Sequence, residues 1–323
     1  MSQTQGSAAA GPCPQRDAEP GATGMGTAID QPGPRPGTPS GTGPRPLPTD
    51  GVTVMAIVNR TTDSFYDQGA TWELQAAVDR GLAAAADGAG IIDVGGVKFA
   101  PGEPVPAAEE ARRVVPVIAA LREQAPGVLL SVDTFHASVA QEAIAAGADL
   151  INDTTCFSDP AMAGVIARAG ASVVVTHSLA APRTELPRPR YHDVVAQVRD
   201  RLVEGVAHAR GAGIAEERIV VDPGPDLNKS TVQTLELLRH WDEFTQLGKP
   251  VLAALSRKDV IGESLGLPKE ERLEGSLAAA AWVIARGARI LRVHDVRETM
   301  RLVRMLQIID GTRDPVGPLV HNT

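Results

Sequence analysis

Aromatic side chains are scarce: the 323 residues include only 5 Phe, 3 Trp and 2 Tyr. A surface that reads bases by stacking needs several such rings, so no single-strand nucleic-acid platform is expected. Positive charge is also in short supply, with 31 Lys and Arg against 39 Asp and Glu and a net charge of −8. Clustered Lys and Arg give nucleic-acid and anionic-membrane binders their affinity, so neither kind of partner is expected. No run of 18 apolar residues occurs, which argues against a bilayer-spanning helix. The first residues have neither the basic nor the apolar stretch of a secretory signal. Two cysteines, Cys13 and Cys156, make no disulfide framework or metal cluster. Seven histidines are scattered without an H-x-x-H or H-E-x-x-H spacing, so a zinc site is not expected. Neither a Walker A loop nor a G-x-G-x-x-G is present. Together these absences point to a cytoplasmic chain.

What is abundant sorts into two parts. Residues 1–50 hold 9 Gly and 10 Pro, and apart from two Met their only sizeable apolar residues are Ile29 and Leu47. Such a segment buries too little surface to offset its ordering entropy, so a disordered tail is expected over 1–50. Residues 51–323 have an ordinary globular composition and repeat one pattern. Short β-branched runs recur at Thr53–Val58, Gly90–Val94, Val128–Val132, Leu150–Ile151, Ser172–Val175, Arg218–Val221, Pro250–Leu255 and Ala288–Val293. Between them lie segments rich in Ala, Leu, Glu and Arg: Trp72–Asp87, Ala107–Glu123, Ala137–Ala146, Val194–Gly211, Thr231–Gln246, Lys269–Arg286 and Val296–Ile309. Alternating strand and helix means parallel strands joined by right-handed crossovers. Eight strand signals predict an α/β protein with a closed (β/α)8 TIM barrel over 51–323. Periodicity alone leaves a doubly wound open sheet as the alternative.

Nearly every apolar run ends on a polar residue: Asn59, Asp93, Asp133, Asn152, His177, Asp222, Ser256-Arg257-Lys258, and Arg292 with His294. In a parallel barrel these ends share one face, where they would surround a single mouth. One such Asp is as readily a helix cap, but the full set favours a polar ring. The acidic and amide members suit the N–H and amine edges of a flat, donor-rich ring. The cationic members suit phosphate oxygens, and Asn59 suits a magnesium ion that bridges a diphosphate.

At these residues the chain resembles dihydropteroate synthase, the pterin-binding enzyme of folate biosynthesis. Asn59-Arg-Thr-Thr-Asp-Ser-Phe65 is similar to that family's Asn-x-Thr-Pro-Asp-Ser-Phe loop. Ile91-Ile-Asp-Val-Gly-Gly96, Ser131-Val-Asp-Thr134, Ile151-Asn-Asp153, Asp222-Pro-Gly224, Ser256-Arg-Lys258 and Arg292-Val-His294 match its other signatures, in order and each after a strand signal. The resemblance implies a (β/α)8 barrel that forms a homodimer. It implies a reaction joining 6-hydroxymethyl-7,8-dihydropterin diphosphate to p-aminobenzoate, with release of pyrophosphate and with Mg²⁺ as cofactor. By position, Asp93, Asp133, Asn152, Asp222 and Lys258 would recognise the pterin, and Arg292 and His294 would hold the diphosphate. Asn59 would hold the metal, and Lys258 and Asp63 would be the catalytic residues. Lys98, Phe99, Leu227, Lys229 and Ser256 fall on the second-substrate side.

Departures from the family pattern concentrate on that second side. The family's Gly-Gly-Glu-Ser-Thr-Arg-Pro-Gly loop reads Gly95-Gly-Val-Lys-Phe-Ala-Pro-Gly102 here, so its Arg becomes Ala100. Its Phe-Gly-Phe-Gly-Lys becomes Pro225-Asp-Leu-Asn-Lys229, with Leu227 where an aromatic would pack on the amine substrate. Its Met-His reads Thr176-His177, and the first-loop Pro is Thr62. Three alternatives to an ordinary synthase therefore stand: a paralogue with little turnover or a different acceptor, a methyltetrahydrofolate-dependent methyltransferase, and a Schiff-base aldolase using Lys258. A methyltransferase needs no diphosphate clamp, so Arg292-Val-His294 and Ser256-Arg-Lys258 count against it.

Overall fold

A computed structural model describes residues 43–48, 50–60, 74–186 and 189–321. The tail expectation for residues 1–42, and Asp63 in the first loop, lie outside the described residues. Eight parallel strands close on themselves: β1 (Thr53–Asn59), β2 (Ile91–Gly95), β3 (Leu129–Asp133), β4 (Leu150–Asp153), β5 (Ser172–Thr176), β6 (Ile219–Asp222), β7 (Val251–Ala253) and β8 (Ala288–Val293). Pairing of β8 with β1, from Thr53 opposite Ile290 to Ala56 opposite Val293, completes the ring and rules out the open sheet. Each strand lies within two or so residues of its apolar run, because β-branched residues fit a pleated surface buried on both sides.

The helices are α1 (Leu74–Ala86), α2 (Ala107–Gln124), α3 (Ala137–Ala145), α4 (Met162–Ala169), α5 (Val194–Gly211), α6 (Thr231–Arg239), α7 (Asp242–Thr245), α8 (Asp259–Leu265), α9 (Leu273–Ile284) and α10 (Val296–Ile309). Two expected helices are each broken. The 231–246 segment divides into α6 and α7, with Trp241 buried at the break. The 269–286 segment starts as a 3₁₀ turn over Lys269–Glu271 before α9. The short helices α4 and α8, of eight and seven residues, carry too little periodicity to stand out in the sequence.

Strand alternation builds the interior in layers. Met55, Ile91, Leu129, Leu150, Val174, Val220, Leu252 and Ile290, one from each strand, point inward and form one apolar tier. Their neighbours face out: Val54, Ile92, Leu130, Ile151, Val173, Val221, Val251 and Leu291 pack under the helices. Leu47 joins the inner tier from below. The segment before β1 is held there by Arg45, whose guanidinium pairs with buried Asp149 at 2.7 Å. Arg122 reaches the same carboxylate at 2.6 Å. Residues 43–48, part of the segment whose composition is tail-like, thus close the N-terminal end of the barrel.

Candidate functional site

Two residues beyond the apolar tier, the inward side chains become polar, since a period of two keeps them on the same face. This second tier contains Asp93, Ser131, Asn152, Thr176, Asp222 and Arg292, with Ile57 and Ala254. Two residues further on stand Asn59, Asp133, Ser256 and His294. Above them lies a cavity of about 650 Å³, lined by Asn59, Lys98, Phe99, Asp133, Leu227, Ser256, Lys258, Arg292 and His294 among others. That volume suits a small-molecule site.

Arg292 organises the acidic side. Its Nε donates to Asp93 Oδ2 at 2.6 Å and its Nη2 donates to Asp133 Oδ2 at 2.8 Å. Burial acts to lower the guanidinium pKa, but the two carboxylates more than offset it and raise it. Asp93 also accepts from Ser131 Oγ at 2.6 Å and Asn152 Nδ2 at 3.2 Å. Fully buried and accepting these three bonds, Asp93 fixes its neighbours, while Asp133 and Arg292 reach the cavity wall. Burial pushes Asp133 up to about 7, even with Arg292 pulling it down.

Asn152 is buried, and its Oδ1 has no hydrogen-bond partner among the described residues. Leaving an acceptor so placed unpaired costs about 1–3 kcal/mol, which a ligand donor would recover. Asp222 is buried and accepts from the Gly224 amide at 2.7 Å. Burial raises its pKa, against the pull of Lys258. Lys258 Nζ donates to the Pro225 carbonyl at 2.5 Å, and burial lowers its pKa in turn.

Backbone strain aims Lys258. Arg257 before it has φ of 55°, a left-handed conformation that is costly for a long side chain. A bidentate pair with Asp295, at 2.8 and 2.9 Å, holds Arg257 there. At β8, Arg292 and His294 both line the cavity while Val293 packs among the outer apolar residues, as alternation predicts. His294 shares Ser256 Oγ at 3.1 Å from Nδ1, and burial lowers its pKa to about 3. The imidazole is therefore neutral near pH 7.

The loop after β6 departs from expectation at one residue. Lys229, expected beside the second substrate, is buried away from the cavity. Its Nζ reaches His177 Nδ1 at 3.0 Å and the carbonyls of Gly224 and Leu227 at 2.9 and 3.0 Å. Burial depresses Lys229 to about 7 and His177 to about 3. Asp226 and Asn228, where the resembled pattern has glycines, adopt φ of 62° and 51°. Asp and Asn tolerate that region better than other side chains, so the glycine-type backbone survives. Unlike glycines, they also crosslink. Asp226 Oδ2 accepts from Val260 N at 3.0 Å and caps α8, while Asn228 Oδ1 accepts from Leu179 and Ala180 amides at 3.1 and 2.9 Å.

Lys98, Phe99, Leu227 and Ser256 line the cavity as expected. The sequence places Ser131 in a signature without giving it a role; its hydroxyl anchors Asp93, and its inward position follows from the strand period. Lys269 and Arg272 on the rim belong to a turn with no motif.

Comparison with known proteins places this geometry. The family described as pterin binding enzyme matches residues 55–294. Over 276 residues the chain is 49% identical to a Mycobacterium tuberculosis protein named inactive dihydropteroate synthase 2, covering 84% of this chain and 87% of that one. It is 39% identical over 255 residues to the dihydropteroate synthase of Escherichia coli, covering 79% and 90% of the two. The Xanthomonas albilineans dihydropteroate synthase, solved with 4-aminobenzoic acid, superposes with a TM-score of 0.75 at 42% identity, covering 83% of this chain and 95% of that chain.

Proposed function

The chain belongs to the pterin binding enzyme family, and from that premise we propose that it condenses 6-hydroxymethyl-7,8-dihydropterin diphosphate with an aromatic amine of the p-aminobenzoate class, slowly, in the cytoplasm. The observation that carries this reading is the second interior tier, with buried Asp222 and the unmet acceptor of Asn152 beneath a cavity rimmed by cations. Asp222 would accept from a pterin ring N–H and the 2-amino group, and Asn152 Oδ1 from a further donor. Lys258 would leave the Pro225 carbonyl for a ring acceptor. Arg292 and His294 would face the diphosphate.

Departure of pyrophosphate leaves positive charge on the pterin methylene. Buried carboxylates favour that charge, and cations favour the leaving group. The amine attacks without a covalent enzyme intermediate. Mg²⁺ would fit as part of a substrate complex, since Asn59 offers a neutral oxygen and no group of three metal-binding side chains converges among the described residues. Asn59 would supply one neutral oxygen and the diphosphate the rest, in keeping with the ion's preference for phosphate oxygens and water. Bound there, it would neutralise charge developing on the leaving group.

A second reading, a pterin-binding paralogue with little turnover, is favoured by Ala100 and Leu227 on the acceptor side and by the name of the 49% identical relative. A pyrophosphate-release assay with and without p-aminobenzoate separates the two. Release that depends on the amine supports the synthase. Pterin binding without release supports the paralogue. Absence of both overturns the proposal. We also propose that the chain forms a homodimer, as the resemblance implies; sedimentation at micromolar concentration tests it.

A further inference from the structure

The loop after β2, which carries Lys98, Phe99 and Ala100 into the cavity wall, is tied through residues 99–103 to one residue of the loop after β5. The Arg183 amide donates to the Phe99 carbonyl at 3.1 Å, and its own carbonyl accepts from the Gly102 amide at 3.2 Å. Its side chain then adds Nη1 to the Ala100 carbonyl at 2.9 Å and Nε to the Glu103 carbonyl at 3.1 Å. A φ of 68° at Arg183 turns its backbone groups toward the same loop. Gly102, at φ of 157°, leaves room for the guanidinium: a Cβ there would come within 1.9 Å of it.

We propose that Arg183 is a positioning residue that straps the loop after β2 across the mouth and so sets specificity for the acceptor half of the ligand. The proposal deepens the reading above, because it assumes that this wall faces the acceptor. In this chain the loop lacks the arginine of the resembled pattern, and Arg183 supplies an anchor from outside the motif. Its bonds go to main-chain groups, so the wall is held whatever side chains the loop carries. A preformed wall spares an incoming acceptor the entropy of ordering it. The pterin half meets Asp222 and Asn152 one tier below and is not touched by the strap.

The test uses the full chain with Arg183→Ala and with Arg183→Gly, which keeps the left-handed backbone unstrained and removes only the side chain. Calorimetry compares pteroate, which carries both halves, with 6-hydroxymethylpterin, which carries one. In both variants pteroate affinity should fall at least fivefold while 6-hydroxymethylpterin stays within twofold. Hydrogen exchange over residues 97–106 should quicken at least tenfold. Exchange unchanged in both variants overturns the strap. Faster exchange with pteroate affinity unchanged within twofold overturns the specificity role. Failure of the wild type to bind 6-hydroxymethylpterin would overturn the proposed function instead, and the exchange readout still judges the strap.

Discussion

Asp222 has one carboxylate oxygen on the Gly224 amide, and the other is the one a ring donor would meet. Replacing it by Ala leaves that donor buried and unpaired, so 6-hydroxymethylpterin affinity should drop by about 2–4 kcal/mol. Calorimetry giving an affinity within threefold of wild type would reduce Asp222 to a turn-forming residue. Arg292→Ala should likewise remove most binding of pyrophosphate, which the wild type should bind more tightly with Mg²⁺ than without. No pyrophosphate binding by the wild type at millimolar concentration would sink the diphosphate assignment.

Glu110 on α2 makes a different residue-scale prediction. Burial pushes it from 4.5 up to about 7, with Thr134, Asp133 and Arg113 the other groups acting on it and His136 3.8 Å away. A carboxyl whose folded pKa lies above its unfolded one stabilises fully below the unfolded value, and that contribution fades as pH rises through the folded value. The stability of the wild type relative to Glu110→Gln should therefore fall between pH 5 and 8, by up to about 3 kcal/mol, as read from paired thermal or denaturant melts. A difference between the two that stays constant with pH would show that Glu110 does not titrate in that window.

At the scale of elements, the loop after β6 shows what a motif departure does. Asn228→Ala loses two amide partners and strains a left-handed backbone, so it should cost about 1–2 kcal/mol. Asn228→Gly should cost less, since glycine accepts φ of 51° freely. Equal melting temperatures for the two variants would show that the crosslink, not the backbone, sets the loop. The eight strands were legible because both faces are buried, which demands unbroken apolar runs. Their polar ends were legible as a set, but their depth was not: Asp93 lies a tier below Asp133, and only the register between strands shows it. Lys229 carried a motif position, yet its ammonium followed nearby carbonyls rather than the cavity. Arg183 left no sequence signal, because it binds main-chain oxygens, which every residue type presents alike.

For the whole molecule, pterin binding and turnover should be uncoupled. The interior tiers proposed to hold the pterin diphosphate keep the residues of the resembled pattern, while the wall proposed to face the acceptor has Leu227 in place of an aromatic. An aromatic pair adds about 0.5–1.5 kcal/mol beyond burial, and leucine does not supply it. Phe99 also stands in that wall, so kinetics must decide between loss and replacement. We expect a high KM for p-aminobenzoate with slow product formation; a KM in the low micromolar range would show that Phe99 makes good the deficit.

The plug beneath the barrel has a practical consequence. Arg45 meets Asp149 and the carbonyls of Pro126 and Val128, all at the N-terminal ends of strands. Gly51 lies beside Gln307 near the close of α10. The first described residues and the end of the last helix thus both lie at the N-terminal end of the barrel, opposite the mouth. A label, solid support or fused protein attached near residue 43 or after α10 would leave substrate access unobstructed. Surface-coupled binding measurements through either end should therefore report the affinity of the free chain.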